Sequence, residues 1–144
     1  MRIRFTVDYR GKARRASEQA AAAVFQILNA RFQAALTRPV YDWDLGNTIR
    51  SNGQVAGSPR NIVDTGLLRQ SNTGPIIKGL RAEFRWTAPY SVAVHEGARL
   101  VNGTLLPARP LTSAVLGTEV VEGIEPFDYR KAFKDAWLKA FNAS

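Results

Sequence analysis

Residues 13–36 read ARRASEQAAAAVFQILNARFQAAL, and this stretch decides the fold class. Apolar side chains recur along it at intervals of three and four residues, which predicts an amphipathic helix with one face toward a core. The residues on that face are Ala21, Phe25, Leu28, Phe32 and Ala35, with Val24 and Leu36 beside them. Pro39 disfavours helical geometry at Arg38, so we expect the helix to end near Leu36.

Two features precede this helix. Residues 3–7 alternate apolar and polar side chains, which predicts a half-buried strand. Gly11 is expected to break that strand, so that the helix begins at about Ala13. Ser17 is an alternative start, because its hydroxyl can accept hydrogen bonds from free helical amides.

The centre of the chain predicts strands and tight turns. Asn52-Gly53 and Asn102-Gly103 are typical of two-residue hairpin turns. Residues 76–86 read as strand, with Gly79 as a bulge or break. One face of that strand carries Leu80, Ala82, Phe84 and Trp86, and the other carries Arg81, Glu83 and Arg85.

Helical segments surround these strands. We predict short helices at 67–70, after a capping Asp64, at 90–96, closed by Gly97, and at 111–116, ended by Gly117. Asp128 is expected to cap a last helix that reaches about Asn142. The fold class is therefore α+β: an antiparallel sheet packed against a long N-terminal helix, with short helices and a C-terminal helix, in one domain over residues 1–144.

The charge is strongly positive and unevenly distributed. The chain has 144 residues, a net charge of +8 and no cysteine, so disulfides and thiolate chemistry are excluded. The N-terminal basic stretch, residues 1–15, carries Arg2, Arg4, Arg10, Lys12, Arg14 and Arg15. The acidic segment, residues 119–128, carries Glu119, Glu122, Glu125 and Asp128 and no basic side chain. Such a chain either pairs head to tail with copies of itself or presents two solvated surfaces.

The basic stretch also allows contact with nucleic acid. Its cations can line a phosphate track, but no helix-turn-helix, zinc-finger or RNA-binding signature accompanies them. A sequence-independent DNA-binding module is therefore an alternative function. The longest apolar run is residues 20–25, far short of the about 20 residues of a membrane span, so we expect no membrane association.

Two short motifs invite catalytic interpretations. Ile62 and Val63 precede Asp64-Thr65-Gly66, as apolar residues precede the catalytic motif of aspartic proteases, so a protease that uses Asp64 is a remote alternative. Leu67 follows where such enzymes need a small residue, and the segment reads as helical. His95 is the only histidine and lacks a second ligand at residue 99, so we expect a packing or interface role. We predict no enzymatic activity, no metal and no cofactor.

Residues 39–63 form a long stretch with turn residues and little periodicity. A loop of this length in a compact domain is typically functional or flexible. One interpretation is an arm that reaches a partner through Tyr41, Trp43, Asn52 and Gly53. A loop without fixed structure in the isolated subunit is the other.

Three further motifs follow one another in a characteristic order. They are Asp64, Thr65, Gly66, Leu68, Arg69 and Ser71; Tyr90, Val94, His95, Glu96 and Gly97; and Ala108, Arg109, Pro110 and Leu111. In this order and spacing the chain resembles the tail-completion or head–tail joining family of tailed-bacteriophage neck proteins. The resemblance covers residues 58–116.

The resemblance implies a structural role. It implies a ring of subunits, most simply a hexamer, in the virion neck between the head connector and the tail tube. Duplex DNA would pass through the lumen without sequence-specific contact, and assembly would take place in the host cytoplasm. The partners would be further copies of the chain and other neck, connector or tail-tube proteins. The motif residues would be candidates for the interface.

Overall fold

A computed structural model describes residues 1–2, 9–63 and 66–143. The helices of this part of the chain are α1 (Tyr9–Thr37), α2 (Leu67–Gln70), α3 (Ser91–Glu96), α4 (Leu111–Leu116) and α5 (Tyr129–Ala143). Its strands are β1 (Thr48–Ile49), β2 (Val55–Ala56), β3 (Ile76–Lys78), β4 (Arg81–Glu83), β5 (Ala98–Arg99) and β6 (Leu105–Leu106). The α+β class is confirmed.

The long helix exists, but it begins earlier than predicted. Helix α1 starts at Tyr9, so Gly11 is a helical residue and not a break. Ser17 also lies inside the helix, and its hydroxyl accepts a hydrogen bond from the Trp137 indole at 3.0 Å. Helix α5 packs along this part of α1, and that packing outweighs the about 1 kcal/mol preference of glycine against helix. The strand predicted at 3–7 lies outside the described residues.

Helix α5 follows the predicted pattern. The Asp128 side chain accepts a hydrogen bond from the Lys131 amide at 3.1 Å, which caps the helix as expected. Trp137 and Phe141 stack at 4.8 Å between ring centres. On the facing side of α1, Ala16 and Ala20 are buried. Small side chains at these positions let the two helices approach closely.

The core lies on the C-terminal half of α1. Phe32 contacts Phe84 edge to face at 5.2 Å and Trp86 at 5.8 Å between ring centres. Leu36 and Leu111 are the most completely buried large side chains in this core. The aromatic pairs hold the segment after β4 against α1 through contacts that depend on ring geometry as well as on buried area.

The strands of the described residues form three separate antiparallel hairpins and not one sheet. The turns at Asn52-Gly53 and Asn102-Gly103 are confirmed, with Ile49 opposite Val55 and Arg99 opposite Leu105. The strand predicted over 76–86 is instead the β3–β4 hairpin, because Gly79 turns the chain. Leu80 therefore lies at the turn and is 59% exposed, which corrects its predicted place on the apolar face.

Candidate functional site

The three sequence motifs meet at one cleft. This arginine cleft has a volume of about 490 Å³ and lies between the hairpin β1–β2, helix α2 and helix α3. The motif residues that line it are Gly66, Leu68, Arg69, Tyr90, Val94 and Arg109. Trp43, Arg50 and Arg60 line it from the loop at 39–63. Residues as distant in sequence as Leu36 and Arg109 thus share one surface.

Helix α2 places the first motif at the cleft. Gly66 has a φ of 83°, a left-handed conformation that favours glycine, and the helix begins at the next residue as predicted. Leu68 is buried and anchors the helix, while Arg69 stays exposed. The Ser71 hydroxyl donates to the Leu68 carbonyl oxygen at 2.8 Å and closes the turn. Asp64 and Thr65 lie outside the described residues, and so does the predicted Asp64 cap.

The second and third motifs are joined through their backbones. The Arg109 amide donates to the Val94 carbonyl oxygen at 2.8 Å. Gly97, with a φ of 77°, ends α3 as predicted, and a Cβ there would lie 2.6 Å from the Leu106 carbonyl oxygen. Only glycine allows the segment 105–109 to approach α3 this closely. That approach brings Arg109 to the cleft.

Other motif residues lie elsewhere. His95 packs at 5.3 Å from Trp86, and its Nδ1 bonds the Ser91 carbonyl oxygen at 2.9 Å. His95 and Glu96 line a separate small groove, and Ala108 and Pro110 line another. Since the Ser91 carbonyl oxygen can only accept a hydrogen bond, the Nδ1 atom of His95 carries the hydrogen.

The loop at 39–63 folds back onto the body. Tyr41 is 2% exposed, and its hydroxyl donates to the Ala35 carbonyl oxygen at 2.9 Å. Tyr41 is therefore a core residue, which corrects its assignment as a partner contact. Trp43 is half-buried in the cleft, while Asn52 and Gly53 remain at the exposed tip of the hairpin. The tertiary contacts of Tyr41 hold this loop in place without a partner.

Arg60 is the centre of that folded loop. It is 7% exposed. Its guanidinium donates to the Gly57 carbonyl oxygen at 2.7 Å and to the Thr48 hydroxyl at 2.8 Å. It also lies over the Trp43 ring, 4.4 Å from the ring centre. These neutral groups hold a buried cation that has no carboxylate beside it among the described residues.

Arg109 is the second inward-lying cation. Its guanidinium lies 5.2 Å from the centre of the Trp43 ring. Its Nε is buried and has no hydrogen-bond partner in the part of the chain that the structure describes. Burial lowers the pKa of Arg109, and the like charges of Arg60 and Arg50 lower it further. The isolated subunit therefore holds this arginine at an electrostatic cost.

The described residues of the cleft carry positive charge and no counter-charge. Arg50, Arg60, Arg69 and Arg109 line it, and none of the described lining residues is acidic. The ion pairs within residues 9–63 and 66–143, Arg14–Glu18 and Arg85–Glu83, lie elsewhere. Burial raises the pKa of Tyr41, so this neighbour of Arg109 stays a neutral phenol. An oxyanion is the chemical group that such an arrangement binds.

The sequence motifs did not include Arg50 and Arg60. Arg50 is held by the Asn61 side chain at 2.6 Å and by the Asn61 carbonyl oxygen at 3.0 Å. The sequence signal that pointed to Arg50 was the hairpin predicted at Asn52-Gly53, because its turn brings the chain back toward residue 60. No sequence pattern indicated that Arg60 would be buried.

Comparisons with protein-family models, with curated proteins and with solved structures found no match. None of the helices in the described part of the chain is long and apolar enough to span a membrane. Residues 9–63 and 66–143 contain no group of three or more His, Asp or Glu side chains placed to hold a metal ion. The motif order and the arginine cleft are therefore the features of the chain that bear on its function.

Proposed function

We propose that this chain is a structural subunit of a tailed-phage neck, whose copies form a ring between the head connector and the tail. The observation that carries this proposal is the convergence of the three neck-protein-like motifs on the arginine cleft. Motif residues that are distant in sequence are expected to meet on one surface when that surface has a function. Binding of another subunit is such a function.

The distribution of charge supports self-assembly. A ring built from identical subunits needs two different, complementary patches on each copy. The arginine cleft is a cationic patch, and Glu119 and Glu122 lie exposed on a surface of opposite sign. A patch of like charges has an electrostatic cost in the isolated subunit, and that cost is removed when the patch meets a surface of opposite charge.

Electron microscopy of the purified chain tests the proposal. We expect rings with a regular subunit number, most simply six, and a central hole wide enough for duplex DNA. Light scattering at rising protein concentration should give the mass of the same closed species. A chain that stays monomeric at every concentration, alone and with neck proteins from the same source, would contradict the proposal.

Arg109→Ala provides a second test of the same proposal. We expect this substitution to weaken ring formation more than it weakens subunit folding, because the side chain lies at the cleft and makes few bonds within the chain. Rings of normal stability together with a lowered melting temperature would give the opposite answer. Arg109→Lys, which keeps the charge, is the matched control.

A sequence-independent DNA-binding function is the second candidate. The observation that favours it is the exposure of Arg10, Arg14 and Arg15 on the first turns of α1. Phosphate contacts by such residues give an affinity that falls steeply with salt. If the monomer binds duplex DNA and loses that binding in Arg10→Gln/Arg15→Gln, this candidate replaces the ring.

A further inference from the structure

A second groove has the opposite charge pattern to the arginine cleft. This acidic groove has a volume of about 600 Å³, and Asp42, Glu119 and Glu122 line it with no lysine or arginine among its lining residues. No described basic side chain forms an ion pair with any of these three carboxylates. The subunit thus carries four arginines in one recess and three carboxylates in another, and neither set is neutralised within the described chain.

The acidic groove has a firm base and an exposed rim. Val121 and Phe127 pack against the core and hold the acidic segment in place. Glu119 and Glu122 are exposed, and Val120 between them is 96% exposed. A surface that covered this rim would meet an apolar side chain between carboxylates that have no ion-pair partner among the described residues.

The rim does not line its own arginine cleft. The two lining sets share no residue, and neighbouring residues divide between them: Asp42 lines the groove and Trp43 the cleft, and Ala108 lines the groove and Arg109 the cleft. A second copy of the chain can therefore bring its rim to a cleft that the subunit's own rim does not occupy.

The form of the cleft favours carboxylates on a protein over DNA phosphates. Arg60 and Arg109 lie in a recess and are held against Trp43, whereas the phosphates of a duplex lie along a wide convex surface. The cleft also has exposed apolar side chains, Ile49 and Leu67, at its edge. These match a rim in which Val120 stands between carboxylates, and they offer nothing to a phosphate.

We infer that the arginine cleft of one copy binds the rim Glu119–Glu122 of the next copy, with the carboxylates on the arginines and Val120 against Ile49 and Leu67. This inference rests on the proposed ring and identifies the contact from which it is built. It also assigns the cationic half of the interface to the arginine cleft and not to the N-terminal basic stretch.

Two full-length variants test this contact. The cleft variant, Arg69→Gln/Arg109→Gln, keeps the rim, and the rim variant, Glu119→Gln/Glu122→Gln, keeps the cleft. We expect each to sediment as a monomer at a concentration where the wild type forms rings. Mixed in equal amounts, they should form a heterodimer and nothing larger, because one intact cleft then meets one intact rim.

Two control variants test whether the loss of association is specific to the cleft. Arg14→Gln/Arg15→Gln removes two cations from the N-terminal basic stretch and should assemble like the wild type. Arg69→Lys/Arg109→Lys should recover a measurable part of the association that the glutamine variant loses. Circular dichroism melting curves of all variants show whether a loss of association comes from unfolding.

The outcomes distinguish a failure of the proposed contact from a failure of the proposed ring. If both variants still form rings, or if the mixture shows no heterodimer, the proposed contact is wrong. Rings of the wild-type protein would in that case still support the proposed function. If the mixture gives the heterodimer but the wild type gives open chains and no closed ring, the contact stands and the ring fails. If duplex DNA binds the rim variant and not the cleft variant, the cleft is a DNA site and the inference is overturned.

Discussion

The arginine cleft and the N-terminal basic stretch carry the same kind of charge in opposite surroundings. In the cleft, Arg60 is 7% exposed and is held by carbonyl oxygens, a hydroxyl and an aromatic ring. In the basic stretch, the Arg14 side chain is 79% exposed and pairs with Glu18 at 3.2 Å, one helical turn away. Water and a carboxylate one turn away therefore stabilise the charge of Arg14, whereas the charge of Arg60 depends on the fold.

This difference shows that net charge alone does not locate a binding surface. An exposed ion pair on a helix contributes about 0.3–0.5 kcal/mol, and its residues can be exchanged at little cost. A buried cation must be bonded on all sides, or its desolvation destabilises the fold. The cleft is therefore the region where a substitution is expected to have consequences, both for stability and for association.

The largest expected effect separates Arg60 from its exposed counterpart Arg15. Arg60→Leu removes the donor for the Gly57 carbonyl oxygen and the Thr48 hydroxyl, and we expect it to lower the free energy of unfolding by about 4 kcal/mol. Arg15→Leu should change it by less than about 0.5 kcal/mol. Urea unfolding of the two variants measures both values. Similar losses in the two proteins would remove the distinction between the regions.

The next effect concerns the backbone that brings Arg109 to the cleft. Gly97→Ala places a Cβ against the Leu106 carbonyl oxygen, and we expect a loss of about 3 kcal/mol from this clash and from the positive φ. Gly103→Ala is the matched control, since its φ of 85° is similar but no atom lies within 4 Å of the added Cβ. There the loss should be about 1 kcal/mol. Equal melting temperatures for the two variants would contradict the close approach.

A smaller effect compares the aromatic contacts of the two regions. Trp43→Leu removes the ring beneath Arg60 and Arg109, and we expect a loss of about 2 kcal/mol. Lys12 lies 4.4 Å from the centre of the Phe141 ring, and Lys12→Met should cost less than about 1 kcal/mol because that contact is nearer to water. Chemical unfolding of each variant against the wild type gives the order, and a larger loss for Lys12→Met would reverse it.

The smallest effect tests the neutral neighbour of the cleft. Tyr41→Phe removes the hydrogen bond to the Ala35 carbonyl oxygen and should lower stability by about 1 kcal/mol at neutral pH. Burial raises the pKa of Tyr41 above its ordinary value of 10.0. Above that pH the unfolded chain loses the phenolic proton first, so the Tyr41 contribution to stability is present below pH 10 and falls as the pH rises further.

Unfolding free energies of the wild type and Tyr41→Phe at about pH 8 and about pH 11 measure this contribution. We expect the advantage of the wild type to shrink or reverse at the higher pH. A constant difference between the two proteins would mean that Tyr41 titrates like an exposed tyrosine.

Local patterns predicted most of the elements. The 3.6-residue period of α1 and α5, the two Asn-Gly turns and the positions of Gly97 and Gly117 each depend on neighbouring residues, and all were found in place. The two errors have different causes. Packing by the distant helix α5 keeps Gly11 in a helix, whereas the local turn at Gly79 places Leu80 at the exposed end of the β3–β4 hairpin.

The amino-acid sequence by itself determined the helices, the hairpins at the two Asn-Gly turns, the α+β class and the excess of positive charge, because each follows from residue type and from contacts within a few positions. Only the tertiary structure decided which arginines share a recess. Arg50, Arg60, Arg69 and Arg109 are spread over three segments, and nothing in their spacing indicates that they meet. Their electrostatic cost depends on burial and on the distance between charges, and both are set by how those segments pack.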